Sequence, residues 1–341
     1  MTVMRWRFLL AEWLIILSGQ FLLPAYAEGL TTSSESKEVQ ALLHQMQGAS
    51  QKVSFSGIFV YQQGNQVRTS RITHVHDGKN ELEKLEILDG SPREYVRNND
   101  EIVCYLPESH TLLIEKKIAQ DVFPAIFAAN PAELALYYVL KRGQFLRVAG
   151  HETQELVLEP KDNLRYGYRL SAEKSTGLLL RAQTINQKNE IVEQITFTQL
   201  QIGNISRARV KPTFQNTVGW HVENSGVTDA APSGWTVHNM PAGFKKIRAI
   251  KRTIVDISTT IADISIALPS REVTQLVYSD GVAAVSVFIE PVSRSRTEGY
   301  FQQGALNIVG KRQGEFWLTI VGEVPVAAIK QVANSIEFKS R

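Results

Sequence analysis

Hydrophobic residues along most of this chain alternate with polar ones, the period of strands, and recur at helical spacing in only a few stretches. The first helical stretch is Glu35 to Ser50, with acidic residues in its first turn and Val39, Leu42, Leu43 and Met46 on one face. Its apolar stripe needs a sheet to cover. From Val53 to Tyr61 the pattern switches to alternation, placing Val53, Phe55, Gly57, Phe59 and Tyr61 on one side. Gly64-Asn65 then turns the chain into a returning strand from Val67 to Val75. Turn signals at Asp77-Gly78, Asp89-Gly90 and Asn98-Asn99-Asp100 cut the next stretch into a meander without βαβ alternation.

Between Asp121 and Arg142 apolar residues cluster around Pro124 and Pro131, which predicts short helices inserted in the meander. Strands resume at Phe145 to Val148, Glu155 to Leu158, Tyr166 to Leu170, Gly177 to Thr184 and Ile191 to Phe197. The periodicity fades from Ser206 to about Pro232, where Pro212, Asn216, Asn224, Ser225, Gly226 and Pro232 accumulate, so this stretch reads as a linker. Two hairpins follow. Arg271 to Tyr278 and Val282 to Glu290 meet at Asp280-Gly281, and Ala305 to Arg312 and Glu315 to Val321 meet at Gln313-Gly314. A closing helix has Pro325 at its first turn and Val326, Ile329, Val332 and Ile336 as its buried stripe. The expected class is α+β, mostly antiparallel β, with a first domain over 28–206, a linker over 207–232 and a second domain over 233–341.

The first 27 residues read as a secretory leader. Arg5 and Arg7 precede the apolar run Phe8 to Leu17, and Ala25-Tyr26-Ala27 supplies a small-x-small cleavage site. As an anchor, Phe8 to Leu23 is short and carries Glu12. A soluble periplasmic protein is therefore expected. The formal net charge of +3 falls to +2 once the leader's two arginines and one glutamate are removed. No basic block or basic-aromatic stripe stands out, which argues against a nucleic-acid partner. Cys104 is the only cysteine, so no intrachain bridge forms, and its setting in Glu101 to Leu106 reads as a buried strand.

No catalytic constellation emerges. The chain lacks a nucleophile elbow, a phosphate loop, a zinc-protease helix and any Cys/His pairing motif, and it implies no cofactor. His74 and His76 share a strand face without a third ligand nearby in sequence, so a solvated face is a better reading than a metal site. Phe55, Phe59 and Tyr61, with Phe123, Ile126 and Phe127, must mostly be core. Yet one curved sheet covered by few helices has more concave apolar face than they fill, and such a face suits an acyl chain.

Five segments, in this order, carry a family resemblance. They are DGSPREYVR from Asp89, RVAGHETQELVLEPKDNLRYGYRLSAEKSTGLLLRAQ from Arg147 to Gln183, GWTVHNMPAGF from Gly234, LVYSDGVAAVSVFIEP from Leu276 and GEFWLTIVGEVP from Gly314. Together they resemble the periplasmic regulators of the envelope-stress sigma factor sigma-E, the RseB/MucB family. The resemblance implies a large LolA/LolB-like open β-barrel with helices in its concave side, plus a smaller C-terminal α/β domain. It also implies a non-enzymatic role. Such a protein binds the periplasmic part of a single-pass, RseA/MucA-like anti-sigma factor, shields it from initiating proteolysis and releases it when lipopolysaccharide or another acylated lipid binds.

On that reading the aromatic face above is the lipid site, and the hairpin at Tyr278, Ser279 and Asp280 is the local candidate for partner contact. A periplasmic lipid or lipoprotein carrier is the competing function, against which the second domain weighs. A hydrolase would need paired carboxylates across a cleft. Homo-oligomerisation is left open. The isoleucine-rich segment Thr253 to Ser270 is longer than the resemblance leads one to expect.

Overall fold

The computed structural model of the protein describes residues 28–116, 131–224, 227–229, 234–255, 270–292 and 296–339. Helix α1 (Glu28–Lys52) buries Val39, Leu43, Met46 and Ala49, a stripe that repeats every three to four residues. It starts upstream of the predicted Glu35. Leu42, assigned to the same stripe, is only partly buried at its margin.

The surface under α1 is a twelve-stranded open sheet. Its strands are β1 (Phe55–Gln63), β2 (Gln66–His76), β3 (Glu81–Ile87), β4 (Arg93–Asn98), β5 (Glu101–Leu106), β6 (Thr111–Lys116), β7 (Tyr138–Val148), β8 (His151–Pro160), β9 (Gly167–Glu173), β10 (Leu179–Ile185), β11 (Ile191–Ile202) and β12 (His221–Asn224). They run in the order β12-β6-β5-β4-β3-β2-β1-β11-β10-β9-β8-β7. Every pairing is antiparallel except β12 on β6. The predicted meander is therefore correct in type, with most strands longer than the alternation alone delimits.

Phe55 and Phe59 lie on the α1 side of the sheet, packed with Phe197 edge-on at 6.0 and 5.8 Å. Gly57 sits between them because a Cβ there would overlap the Phe197 ring. Ser56, Ile58, Arg71 and Thr73 alternate with these residues and so line the outer face.

Three expectations need correction. Of the predicted helical insertion, 121–130 lie outside the described residues and Pro131–Tyr137 form a short helix, α2, but the chain then enters β7 at Tyr138 rather than near Phe145. Tyr138 and Leu140 pair across to Pro160 and Leu158, and this tertiary ladder overrides the helical reading of a short apolar run. His74 is buried rather than solvated: Nδ1 lies 2.8 Å from the Val53 carbonyl and the ring sits 5.6 Å from Phe55. Cys104 is buried and free as expected, and burial raises its thiol pKa.

Over 207–224, the stretch read as a linker is packed against the sheet. Ser206 caps a 3₁₀ turn over Arg207–Val210, and the chain then crosses the outer face as a strap. Arg209 donates to Ser56 on β1 at 2.8 Å, and the Thr213 amide donates to Glu94 on β4 at 2.8 Å. Phe214 stacks on Tyr105 of β5 at 6.4 Å, and Trp220 lies edge-on to His110 at 5.6 Å. Up to Trp220 the strap crosses strands instead of running along them, so its side chains show no period of two; only at β12 does it run along a strand, β6.

The second domain is a seven-stranded antiparallel sheet. It contains β13 (Val227–Asp229), β15 (Lys245–Val255), β16 (Ser270–Ser279), β17 (Ala284–Pro291), β18 (Gly299–Gln303), β19 (Leu306–Gln313) and β20 (Phe316–Gly322), in the order β13-β15-β16-β17-β20-β19-β18. Helix α3 (Val326–Ala333) covers it, and β14 (Trp235–Val237) pairs with β21 (Ile336–Phe338) beside it.

Both predicted hairpins are present. The α3 stripe consists of Ala328, Ile329, Val332 and Ala333, while Val326 is exposed and Ile336 is buried from β21. Strand β15 went unread because a bulge between Lys246 and Arg248 breaks its alternation, leaving Ile247 exposed and Ile250 buried. Of the isoleucine-rich segment, Thr253 to Val255 belong to β15 and Ser270 to β16, and 256–269 lie outside the described residues. No helix among the described residues is long and apolar enough to cross a membrane.

Candidate functional site

The two domains meet where the Asp280-Gly281 turn enters the first domain. Gly281 takes φ +94°, which lets the chain reverse tightly between β16 and β17. The Asp280 Oδ1 accepts from the Val282 and Ala283 amides at 3.0 and 2.9 Å, and the Ser279 hydroxyl donates to the Ala283 carbonyl at 2.9 Å. So braced, the turn pushes Val282 into the first domain's own core beside Val39, Leu43, Leu134 and Tyr138. The other Asp280 oxygen accepts from Arg165 Nη1 at 2.8 Å and from the Tyr138 hydroxyl at 3.3 Å. Both side chains of the Arg165–Asp280 pair are fully shielded from solvent.

Arg165 is the centre of this joint. Its Nε donates to Asp162 at 3.0 Å, its Nη2 donates to the Ala242 carbonyl at 2.5 Å, and its guanidinium lies over the Tyr137 ring at 4.8 Å and near the Phe244 ring at 5.7 Å. Burial disfavours the charge, but hydrogen bonding to Asp162 and the Asp280 carboxylate outweigh it and hold the pKa above its ordinary value. Tyr138 is pushed far up by burial and then by the Asp280 charge, so it stays a neutral donor. Gly243, at φ +88°, lies so close that a Cβ would overlap the Tyr137 ring.

A second contact lies at the far end of β1. Glu193 of β11 accepts from the Tyr61 hydroxyl at 2.7 Å and from the Ala305 amide of the second domain. Asn307, wholly buried, donates to the Tyr166 hydroxyl at 3.1 Å and to the Val324 carbonyl at 2.7 Å. Gln303 donates to Gln66 at 2.7 Å.

Glu323 stands near Glu193. The residue keeps exposed surface, yet crowding around its carboxyl, with the Glu193 charge added, raises it to about 7. Burial raises Glu193 as well. These acids bind protons more readily folded than unfolded, so their effect is absent below the unfolded value of 4.5 and becomes a growing penalty as pH rises to about 7. Melting temperature is expected to fall between pH 5 and 7, with a shallower slope in Glu323→Gln. Equal slopes would contradict this assignment.

The structure brings together the sequence-selected residues unevenly. Phe55 is buried with Ala49, Val148, Leu178, Leu180 and Phe197, Phe59 is partly buried against the same cluster, and Tyr61 is turned to Glu193. Phe123, Ile126 and Phe127 lie outside the described residues. Tyr278 is buried in the second domain's core, and Ser279 and Asp280 are engaged within the chain. Among the described residues no three His, Cys, Asp or Glu side chains are gathered for a metal ion. Arg165 went unselected because a lone arginine in a polar loop carries no sign of burial.

Comparison with known families adds a decisive observation. The MucB/RseB N-terminal domain matches residues 38–214, and the MucB/RseB C-terminal domain matches residues 229–337. The chain belongs to the MucB/RseB family. It is 29% identical over 311 residues to the sigma factor AlgU regulatory protein MucB of Pseudomonas aeruginosa, covering 89% of this chain and 92% of that protein. It is 23% identical over 331 residues to the sigma-E factor regulatory protein RseB of Escherichia coli K12, covering 95% and 96%.

Among solved structures, MucB in complex with MucA(peri) is similar at TM-score 0.66 and 27% identity, covering 89% of this chain and all of that one. A crystal structure of MucB is similar at TM-score 0.60 and 26% identity, covering 89% and 98%. The MucB/RseB segments seen in the sequence contain both halves of the joint. Arg165 lies in the Arg147 to Gln183 segment, Ala242 and Gly243 in the one from Gly234, and Asp280 in the one from Leu276.

Proposed function

We propose that this MucB/RseB protein is a periplasmic regulator of the sigma-E type. It binds the periplasmic part of a single-pass anti-sigma factor, shields it from the protease that initiates its destruction and lets go when an acylated lipid such as lipopolysaccharide binds. The observation that carries this reading is the likeness over both domains to MucB in complex with MucA(peri). A protease needs its substrate extended and accessible, so holding the strip against a folded surface blocks cleavage without chemistry. The protein accordingly acts by binding and not as an enzyme. Residues 1–27, read as a cleavable leader, are its export signal.

Release requires that lipid bind the released conformation better than the holding one; reversing a 99:1 preference takes roughly 10⁴-fold differential affinity. The Arg165–Asp280 joint is the natural two-state element, because the Asp280 turn is shared by both domains. The hairpin at Tyr278 to Asp280 then contributes to partner binding by fixing the domain arrangement. The α1-side face, with Phe55, Phe59 and Tyr61, is the acyl site; Phe123, Ile126 and Phe127, selected from the sequence, complete the set of proposed lipid-contacting residues.

The test is a pull-down from envelope extract and a protease-protection assay with the periplasmic anti-sigma segment. Capture and protection of a single-pass anti-sigma factor supports regulation; recovery of a range of outer-membrane lipoproteins instead supports a carrier. Phe59→Asp places an unpaired charge against Phe197 and its neighbours. It is expected to weaken lipid-triggered release while peptide binding persists. Loss of folding in this variant, read by circular dichroism, would assign Phe59 to the core alone.

A further inference from the structure

The outer face of the first sheet, opposite α1, carries a cationic cleft beneath the strap. It has a volume of about 570 Å³ and is lined by Arg71, Thr73, Lys84, Arg209, Lys211 and Thr213, among others. A smaller cleft of about 340 Å³, lined by Ser56, Ile58, Gln199 and Gln201, shares Arg71 and Arg209 with it. The two clefts therefore adjoin at a pair of guanidinium groups.

The charges do not cancel. Glu86 and Glu94 face each other across β3 and β4, and buried Lys84 reaches both, at 3.3 and 3.2 Å. Lys84 also donates to Thr213 at 2.6 Å, so its three protons are engaged. Arg71 approaches Glu86 at 3.7 Å from the other side. Among the described residues Arg209 is bound to neutral groups, with Nη1 donating to Gln201 at 3.1 Å and Nη2 to Ser56 at 2.8 Å. Lys211 is exposed at the rim. Four cations against two carboxylates leave two positive charges, and the rest of the lining is mainly hydroxyl and amide.

We propose that this cleft binds a phosphate monoester or diphosphate group, held chiefly by Arg71, Arg209 and Lys211. A dianion matches the residual charge, and two guanidinium forks beside hydroxyl and amide groups suit tetrahedral oxyanions. The site is distinct from the proposed acyl site, because the sheet separates the two faces, and it does not depend on the anti-sigma reading. Its outer wall is the strap, which leads to the second domain, so an occupied cleft fastens the interdomain connection to the sheet.

The experiment is titration calorimetry of the full chain, without its leader, using inorganic pyrophosphate at constant ionic strength. Hydrogen exchange is followed over residues 207–215. Saturable binding near or below about 1 mM is expected, with slower exchange in the strap. Arg71→Gln/Arg209→Gln should weaken binding by about tenfold or more, whereas Lys188→Gln, on a distant turn, should not. Melting temperatures without ligand establish that the variants fold.

A second arm uses phosphatidylcholine vesicles with and without a phosphate-monoester lipid. Vesicle binding that depends on the same arginines identifies a headgroup as the source, and binding of pyrophosphate alone identifies a free anion. No saturable binding in either arm, or binding undiminished in the double variant, overturns the proposal.

Discussion

Replacing Arg165 with methionine is expected to be the most damaging single change at the domain joint, lowering stability by about 3–5 kcal/mol. The substitution leaves Asp280 fully buried with its charge unpaired, strips the Ala242 carbonyl of its donor and removes the cation over Tyr137. Denaturant unfolding should change from one transition to two as the domains cease to melt together. Pairing Arg165→Met with Asp280→Leu removes both charges and should recover much of the loss, since a buried ion pair is often replaceable by apolar residues of similar size. If the single variant melts like the parent, the joint does not couple the domains. Protection of the anti-sigma segment should decline in step with the coupling, because under the proposed function both domains hold one strip.

Gly243→Val attacks the same joint by sterics instead of charge. The position needs φ +88°, which a β-branched residue adopts at a cost of about 1–3 kcal/mol, and its side chain would overlap the Tyr137 ring. Overpacking adds a comparable amount. Gly243 is only half-buried and a side chain there meets Tyr137 of the other domain, so each domain should keep its own fold while the pair separates. Small-angle scattering should show a larger radius of gyration, and protease protection of the partner segment should fall at least about tenfold. Tyr137→Ala in the same chain relieves the overlap but not the backbone strain, and so should restore compactness only in part. An unchanged scattering profile for Gly243→Val would mean that the joint yields without opening.

Much of the architecture was legible because local pattern and tertiary environment agree. The α1 stripe is readable since one helical face meets the sheet, and β1 with β2 is readable since Gly64-Asn65 closes a regular hairpin. Where they disagree, the reading failed. The bulge in β15 breaks the period of two, and Tyr138 leaves a helical run because β8 offers it a ladder. The strap lies across strands, so a proline- and asparagine-rich stretch that resembles a free linker in sequence is packed against β1 to β6 in space.

The candidate site divides along the same line. The aromatic face was accessible from sequence because alternation alone places Phe55 and Phe59 on one side of a strand. The joint was not, because Arg165 and Asp280 are 115 residues apart and each looks like an ordinary turn residue. Asp280-Gly281 was read correctly as a hairpin turn, but nothing local to a turn says that another domain closes over it. By itself the sequence determined the mostly antiparallel class, most of the elements and the family, since these follow from periodicity, turn chemistry and ordered motifs. Only the tertiary structure decided that a buried arginine holds the domains together and that the linker covers a cationic cleft, because burial and charge balance are properties of residues brought together from distant parts of the chain.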